Sequence, residues 1–158
     1  MTRDNDCVTR FLETGQFGPL KLGQPRQEIV QRIGEPDDVG CARKRRPHEN
    51  CVFLYGETDK VNLQLAISGG NLTGIWLYFR GSDDTSSLPD WTTPETCPLS
   101  GSMTLNDFFS VADRLGLPWL IYHPLTMKDQ TTLIIPPAGV HLIWGHEPDS
   151  LYAAMLTA

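Results

Sequence analysis

Few residues in this chain have a type and spacing that could do chemistry, and they centre on two cysteines. Cys41 and Cys51 bracket a basic loop that contains His48. Three readings of them are open: a disulfide closing the loop, a zinc site using Cys41, His48 and Cys51, or unlinked thiols. Zinc takes four soft or borderline ligands, usually in close pairs. Only His48-x-x-Cys51 is close, and the fourth ligand would have to be Cys97 or Cys7. A metal-dependent enzyme is the reading that this region would carry. Inside the loop, Arg43, Lys44, Arg45 and Arg46 form the one strong charge run. It could grip phosphate or an acidic group, or it is a solvated tip. No aromatic residue interleaves it, which argues against stacking on bases and so against nucleic-acid binding.

Other titratable residues give weaker patterns. His141 alternates with Val140 and Leu142, so on a strand it faces away from them. His146 follows Trp144 by two, and His123 precedes Pro124. Glu28, Glu35, Asp37 and Asp38 decorate a helix and its exit without a facing partner. No His-Glu-x-x-His, Gly-x-Ser-x-Gly or phosphate-cradling glycine loop occurs. The residues thus favour a protein without catalytic residues, metal or cofactor.

The elements that must position these groups come from an ordinary globular composition. The chain has 158 residues, 40% hydrophobic and 20% charged, with a net charge of −6. That sign disfavours nucleic acid and anionic lipid and mildly favours a basic partner. No apolar run approaches the ~20 residues that span a bilayer. Residues 1–10 lack the apolar core of a secretory signal. A cytoplasmic location with reduced cysteines is therefore expected.

The second half repeats the first in a weaker form. Val61-x-Leu63-x-Leu65, a turn at Ser68-Gly69-Gly70, and Leu72-x-x-Ile75-x-Leu77 form one hairpin pattern. Val140-x-Leu142-x-Trp144, a turn over residues 145–149, and Leu151-x-x-Ala154-x-Leu156 form the other. Eleven residues separate Val61 from Leu72 and Val140 from Leu151. Each hairpin follows a short amphipathic helix ending on Gly-x-Pro, at Gly34 and at Gly116. Those two helices are predicted from Pro25 to a left-handed cap at Gly34 and from the N-cap Thr104, where Asp107 resembles the partner of a capping box, to Leu115; a third is predicted over residues 6–14. Residues 37–50 read as a loop. Strands are predicted over 51–56, 61–67, 72–79, 119–123, 131–135, 140–144 and 151–156. The expected fold is α+β, with two tandem modules, each of one or two short helices on a three- to four-stranded antiparallel sheet. Residues 1–80 form the first module, 81–98 a linker, and 99–158 the second, degenerate one.

The run from Phe17 to Asp38, with Leu20-x-Leu22-Gly23 and Ile33-Gly34-Glu35-Pro36-Asp37-Asp38, precedes the tyrosine-bearing Leu54-Tyr55-Gly56. It resembles the "LxLGmsreeVxxxLGePdd" element that opens a group of uncharacterised bacterial proteins. The element is also similar to the helical start of beta-lactamase-inhibitor-protein-like modules and of the small lipoprotein of the outer-membrane assembly machine. The resemblance covers about residues 11–80 well and 99–158 faintly. It implies modules of two short helices on an antiparallel sheet, a role in binding proteins without chemistry, and a ligand lying across the sheet. In the secreted inhibitor a comparable loop is closed by a disulfide, and the resemblance extends that to Cys41 and Cys51.

Aromatic residues give the remaining signal. Trp76 and Tyr78 share a strand face opposite Ile75, Leu77 and Phe79, with Trp144 and Tyr152 expected nearby. Exposed Trp and Tyr are enriched at interface hot spots. Burial of these rings between the two sheets is the competing reading. The expected function is a protein-binding module, an immunity or inhibitor protein in its concrete form. Its partner-binding residues are Trp76, Tyr78, Trp144, Tyr152, Arg43, Lys44, Arg45 and Arg46. A small-ligand or lipid-binding module is the alternative.

Overall fold

Asp6 opens the first helix, α1 (Cys7–Thr14). Its carboxylate accepts the Thr9 amide at 2.7 Å and also the Thr9 hydroxyl, which satisfies donors that a helix start leaves open. Val8, Phe11 and Leu12 are buried along one side. The computed structural model describes residues 6–41 and 50–158, and residue 41 by its backbone alone. Helix α2 (Arg26–Ile33) follows the extended Pro25 and buries Ile29. It stops at Gly34, but with φ 89 and ψ 175 rather than at the expected left-handed cap. The chain there turns straight into an extended path, which a glycine adopts at little cost. Helix α3 (Leu105–Leu115) carries the expected capping box, with Thr104 and Asp107 bonding each other's backbone amides. Gly116, at φ 67, gives the left-handed end.

Eight strands make up the sheet, four before α3 and four after it: β1 (Asp38–Cys41), β2 (Cys51–Tyr55), β3 (Asn62–Ser68), β4 (Asn71–Tyr78), β5 (Leu120–Ile121), β6 (Gln130–Ile135), β7 (Val140–His146) and β8 (Asp149–Thr157). The first corrects the expected loop over residues 37–50. Its four residues, Asp-Val-Gly-Cys, have no alternation to read, and pairing with β2 makes them a strand. The remainder of that expected loop, 42–49, lies outside the described residues.

All eight strands belong to one antiparallel sheet in the order β1-β2-β3-β4-β8-β7-β6-β5. Separate three- or four-stranded sheets were expected. Instead, β4 pairs with β8 from Gly74 opposite Thr157 to Tyr78 opposite Ala153. The two central hairpins each contain a register shift, between Ala66 and Ile67 and between Ile143 and Trp144. The extra residue is Thr73 on β4 and Tyr152 on β8. The pairs beside the shifts, Ile67 with Leu72 and Trp144 with Leu151, are the equivalent ones. The equal eleven-residue spacing in sequence is therefore not a match of register. The second hairpin also turns later than expected: Gly145, His146 and Asp149 are paired, leaving Glu147 and Pro148 as the turn.

The helices join one core with the alternate strand residues. Phe11, Leu12, Ile29, Phe108 and Ala112 cluster with Phe53, Leu65, Ile75, Leu77, Leu142 and Trp144. The connection between β4 and α3 is fastened at several points. Leu88, Thr92, Leu99 and Met103 are buried in it. The Thr93 hydroxyl accepts the Cys7 amide at 3.0 Å. Gly101 donates to the Ser82 carbonyl at 3.1 Å and accepts the Leu151 amide at 3.1 Å, which ties the connection to β8. A Cβ on Gly101 would lie 2.1 Å from the Ser82 oxygen.

Two outcomes follow for stability. Gly101→Ala must push two backbone segments apart, and it is expected to cost roughly 1–3 kcal/mol, as overpacking does. Trp144→Phe removes the bond from Nε1 to the Met103 carbonyl and leaves a buried acceptor unpaired, a cost of about 1–3 kcal/mol. Urea unfolding followed by fluorescence and circular dichroism measures both.

Candidate interaction surface

Strand geometry sends alternate side chains to opposite faces of a sheet. On β4, Ile75 and Leu77 point to the helices and are fully buried, whereas Trp76 and Tyr78 point the other way and are half-buried. The register extends this second face across the sheet. Gln64, Trp76, Met155, His141, Ile134 and Leu120 stand in one row of cross-strand neighbours. Asn62, Tyr78, Ala153, Ile143 and Thr132 stand in the next. Within the eight strands the Asp, Glu, Lys and Arg residues are Asp38 and Asp149, each the first residue of its strand. The helix-free face is thus almost uncharged.

Three rings cluster at its centre. The Trp76 and Tyr78 centroids are 6.3 Å apart, and Tyr78 meets Tyr152 edge-on at 5.9 Å. The guanidinium of Arg80 lies over Tyr78 at 4.8 Å and over Tyr152 at 5.9 Å, a cation–π arrangement. Arg80 takes φ 49, in the left-handed region, and its amide and that of Phe79 both donate to the Tyr152 carbonyl. The register shift in β8 thus places Tyr152 against Tyr78. Burial raises the Tyr78 hydroxyl pKa, the nearby Tyr152 raises it further, and Arg80 opposes both. Tyr78 remains a neutral donor at physiological pH.

Further along the row, His141 meets the Tyr122 ring edge-on at 4.5 Å. Both His141 nitrogens and Trp76 Nε1 are covered by neighbouring side chains and bond to nothing among the described residues, although each residue as a whole is only half-buried. Burial lowers the His141 pKa. Three uncompensated polar atoms lie on a face whose other members are mostly apolar.

Trp76, Tyr78 and Tyr152 are therefore brought together as the alternation suggested. Trp144 is not with them. It has the same parity as Val140 and Leu142, is fully buried, and packs against Phe108 at 5.2 Å between centroids. It is a core residue, which corrects its expected place on the binding face. Arg43, Lys44, Arg45, Arg46 and His48 lie outside the described residues. Cys41 stands opposite Cys51 in the β1–β2 register. His146 serves local structure, with Nε2 2.7 Å from the Thr131 hydroxyl and Nδ1 3.0 Å from the Lys128 carbonyl. The carboxylates also have local partners: Glu28 pairs with Arg32 at 3.0 Å, and Asp37 accepts the Gly56 amide at 2.7 Å. A cleft of about 350 Å³ opens at the start of β2 and the end of β3, lined by Asn50, Val52, Ala66, Ser68 and Thr73 among others. No helix residue lines it.

Sequence reasoning missed Met155, Arg80 and Tyr122 as members of this face. Met155 and Tyr122 arrive there through strand order, which no local pattern encodes.

No protein-family model matches the chain, and no curated protein matches it in sequence. Among solved structures it is similar to an extracellular protein containing an SCP domain from Bacillus anthracis str. Ames. The identity is 10% and the TM-score 0.44, over 86% of this chain and 43% of that one. The chain thus spans less than half the length of that protein, and the likeness carries no argument about function.

His141 gives a pH test of the face. A histidine whose folded pKa is depressed binds its proton more readily when unfolded. Its contribution is present above the ordinary value of 6.5 and is lost as pH falls through the lower folded value. The urea midpoint is expected to drop from pH 7.5 to 5.5, and His141→Phe is expected to reduce that drop.

Proposed function

We propose that this chain is a non-catalytic protein-binding module that meets its partner through the helix-free sheet face. The observation that carries this reading is the contiguous cluster of Trp76, Tyr78 and Tyr152, half-buried to exposed, on two central strands whose one charged residue is Asp149 at the start of β8. Rings held on paired strands lose little freedom on binding and contribute large contact areas. The partner's central contact is then apolar or aromatic. Charge acts at a distance: the net −6 favours a basic partner by speeding encounter.

In the finer form of the proposal, residues 1–80 and 99–158 are two tandem helix-plus-sheet modules linked by 81–98. They are fused along the β4–β8 seam so that both contribute to one binding face. The related register shifts at Thr73 and Tyr152 support descent from one repeated hairpin. The concrete role is an immunity or inhibitor protein for a cognate toxin or enzyme, acting in the cytoplasm, with Arg43, Lys44, Arg45 and Arg46 as a second contact. Among the described residues no helix is long and apolar enough to cross a membrane.

The test is affinity capture from the native host with the intact protein and with Trp76→Ala/Tyr78→Ala. One stoichiometric partner is expected with the intact protein, and it should be lost with a double variant whose unfolding midpoint shows that it still folds. Undiminished capture by that folded variant would remove the partner from this face.

A further inference from the structure

Thr132 belongs to the helix-free face, yet it is fully buried. Residues 122–127 cover it, leaving β5 and folding back over β6 as a strap. The Thr132 hydroxyl donates to the Leu125 carbonyl at 2.7 Å, and Gln130 Nε2 donates to the same carbonyl at 2.8 Å. The Thr126 hydroxyl accepts the Thr132 amide at 3.2 Å and donates to the Tyr122 carbonyl at 3.0 Å. The Tyr122 amide donates to the Thr132 carbonyl at 2.8 Å. These bonds fix the backbone of the strap. The Tyr122 side chain is half-buried and turns its ring edge-on to His141.

A neutral imidazole has one donor and one acceptor, whereas an imidazolium has two donors and a charge. Both His141 nitrogens are covered and bond to nothing among the described residues. A proton taken up there would add a buried charge without an acceptor, which is far costlier than an unpaired neutral ring. The surroundings offer no compensation. Across the strands His141 faces Ile134 and Met155, with Trp76 beyond Met155. Tyr78, Tyr152 and Arg80 gather toward β4. In the strap, His123 is exposed. Lys128 and Asp129 lie past it, where their carbonyls bond His146 at the other end of β7. Ala158 bonds toward β4, to Thr73. Ile134 and Met155 are held on paired strands inside the sheet, so the cover that can move is the Tyr122 ring.

We infer that Tyr122 and His141 form an acid-operated latch: proton uptake by His141 turns the Tyr122 ring outward and admits water to the imidazolium, while the strap backbone stays bonded to β6. Burial favours the neutral ring, so the latch is closed at neutral pH and opens as pH falls below the ordinary value of 6.5. In the open form the nearly uncharged face carries a hydrated cation in the same row as Trp76. The latch is built within this one chain and does not depend on the partner proposed for that face.

Nuclear magnetic resonance on the intact, isotope-labelled chain tests this, with a titration from about pH 8 to about pH 5 across the histidine range. The His141 ring is expected to titrate with a midpoint below 6.5. The Tyr122 ring signals should move with the same midpoint and lose their cross-relaxation to His141. The Tyr122 and Thr132 amides should keep their protection from hydrogen exchange throughout. In Tyr122→Ala, which opens the cover permanently, the His141 midpoint should rise toward 6.5. In His141→Phe the Tyr122 signals should not titrate, which separates His141 from His123 and His146. A His141 midpoint that is not depressed would overturn the inference, as would one that Tyr122→Ala leaves unchanged. So would Tyr122 signals that ignore the His141 titration, or strap amides that lose protection with it.

Discussion

Five residue pairs, from Gly74 opposite Thr157 to Tyr78 opposite Ala153, hold β4 to β8. Without that seam each half of the chain would end on a bare strand edge with apolar residues on both faces. With it, one core runs continuously from the α1 and α2 side to the α3 side. Two of the five pairs join unequal partners, a large residue on β4 with an alanine on β8. Ala153 and Ala154 on β8 stand beside Tyr78 and Leu77 on β4, so at this end of the seam the bulk comes from β4 while β8 leaves room. Small residues on one strand also let the Tyr78 ring reach Tyr152 beyond the register shift.

The shift itself decides which side chains become surface. Without an extra residue in β8, the strand would keep strict alternation from Leu151 onward, and Tyr152 would be one more member of a regular row. The extra residue sends the Tyr152 carbonyl to two amides, those of Phe79 and Arg80, and lets Arg80 fold back over both rings. Geometry that looks like a local irregularity thus assembles the aromatic cluster on the open face, and it draws on both sides of the seam.

Much of this was legible in the sequence where the signal is local. The Thr104–Asp107 capping box, the Gly116 cap, the bounds of α2 and the Gly69-Gly70 hairpin depend on residues within one turn of each other, and all are present. The opposed faces of Trp76 and Ile75 follow from simple alternation. Trp144 shares the parity of Val140 and Leu142 and is buried with them, so its position on the strand outweighs its aromatic character. Other features were not locally encoded. β1 is four residues held by its neighbour rather than by propensity. The single sheet depends on two strands distant in sequence, and the late turn at Glu147-Pro148 follows from pairs that close only when β7 and β8 are aligned. The proposed binding role, by contrast, is not written in any motif; it is inferred from which face the helices leave uncovered.

The strand order also bears on how the chain is made. β8 is the last of the eight strands to leave the ribosome, yet it occupies the middle of the sheet. Until it emerges, β4 has an unpaired side, and the α3 helix lacks part of the surface it packs on. Pairings between such distant segments form slowly and leave intermediates prone to association. From the emergence of β4 to that of β8 the nascent protein therefore carries its future centre as an exposed edge, and its yield in a cell depends on how well that interval is protected.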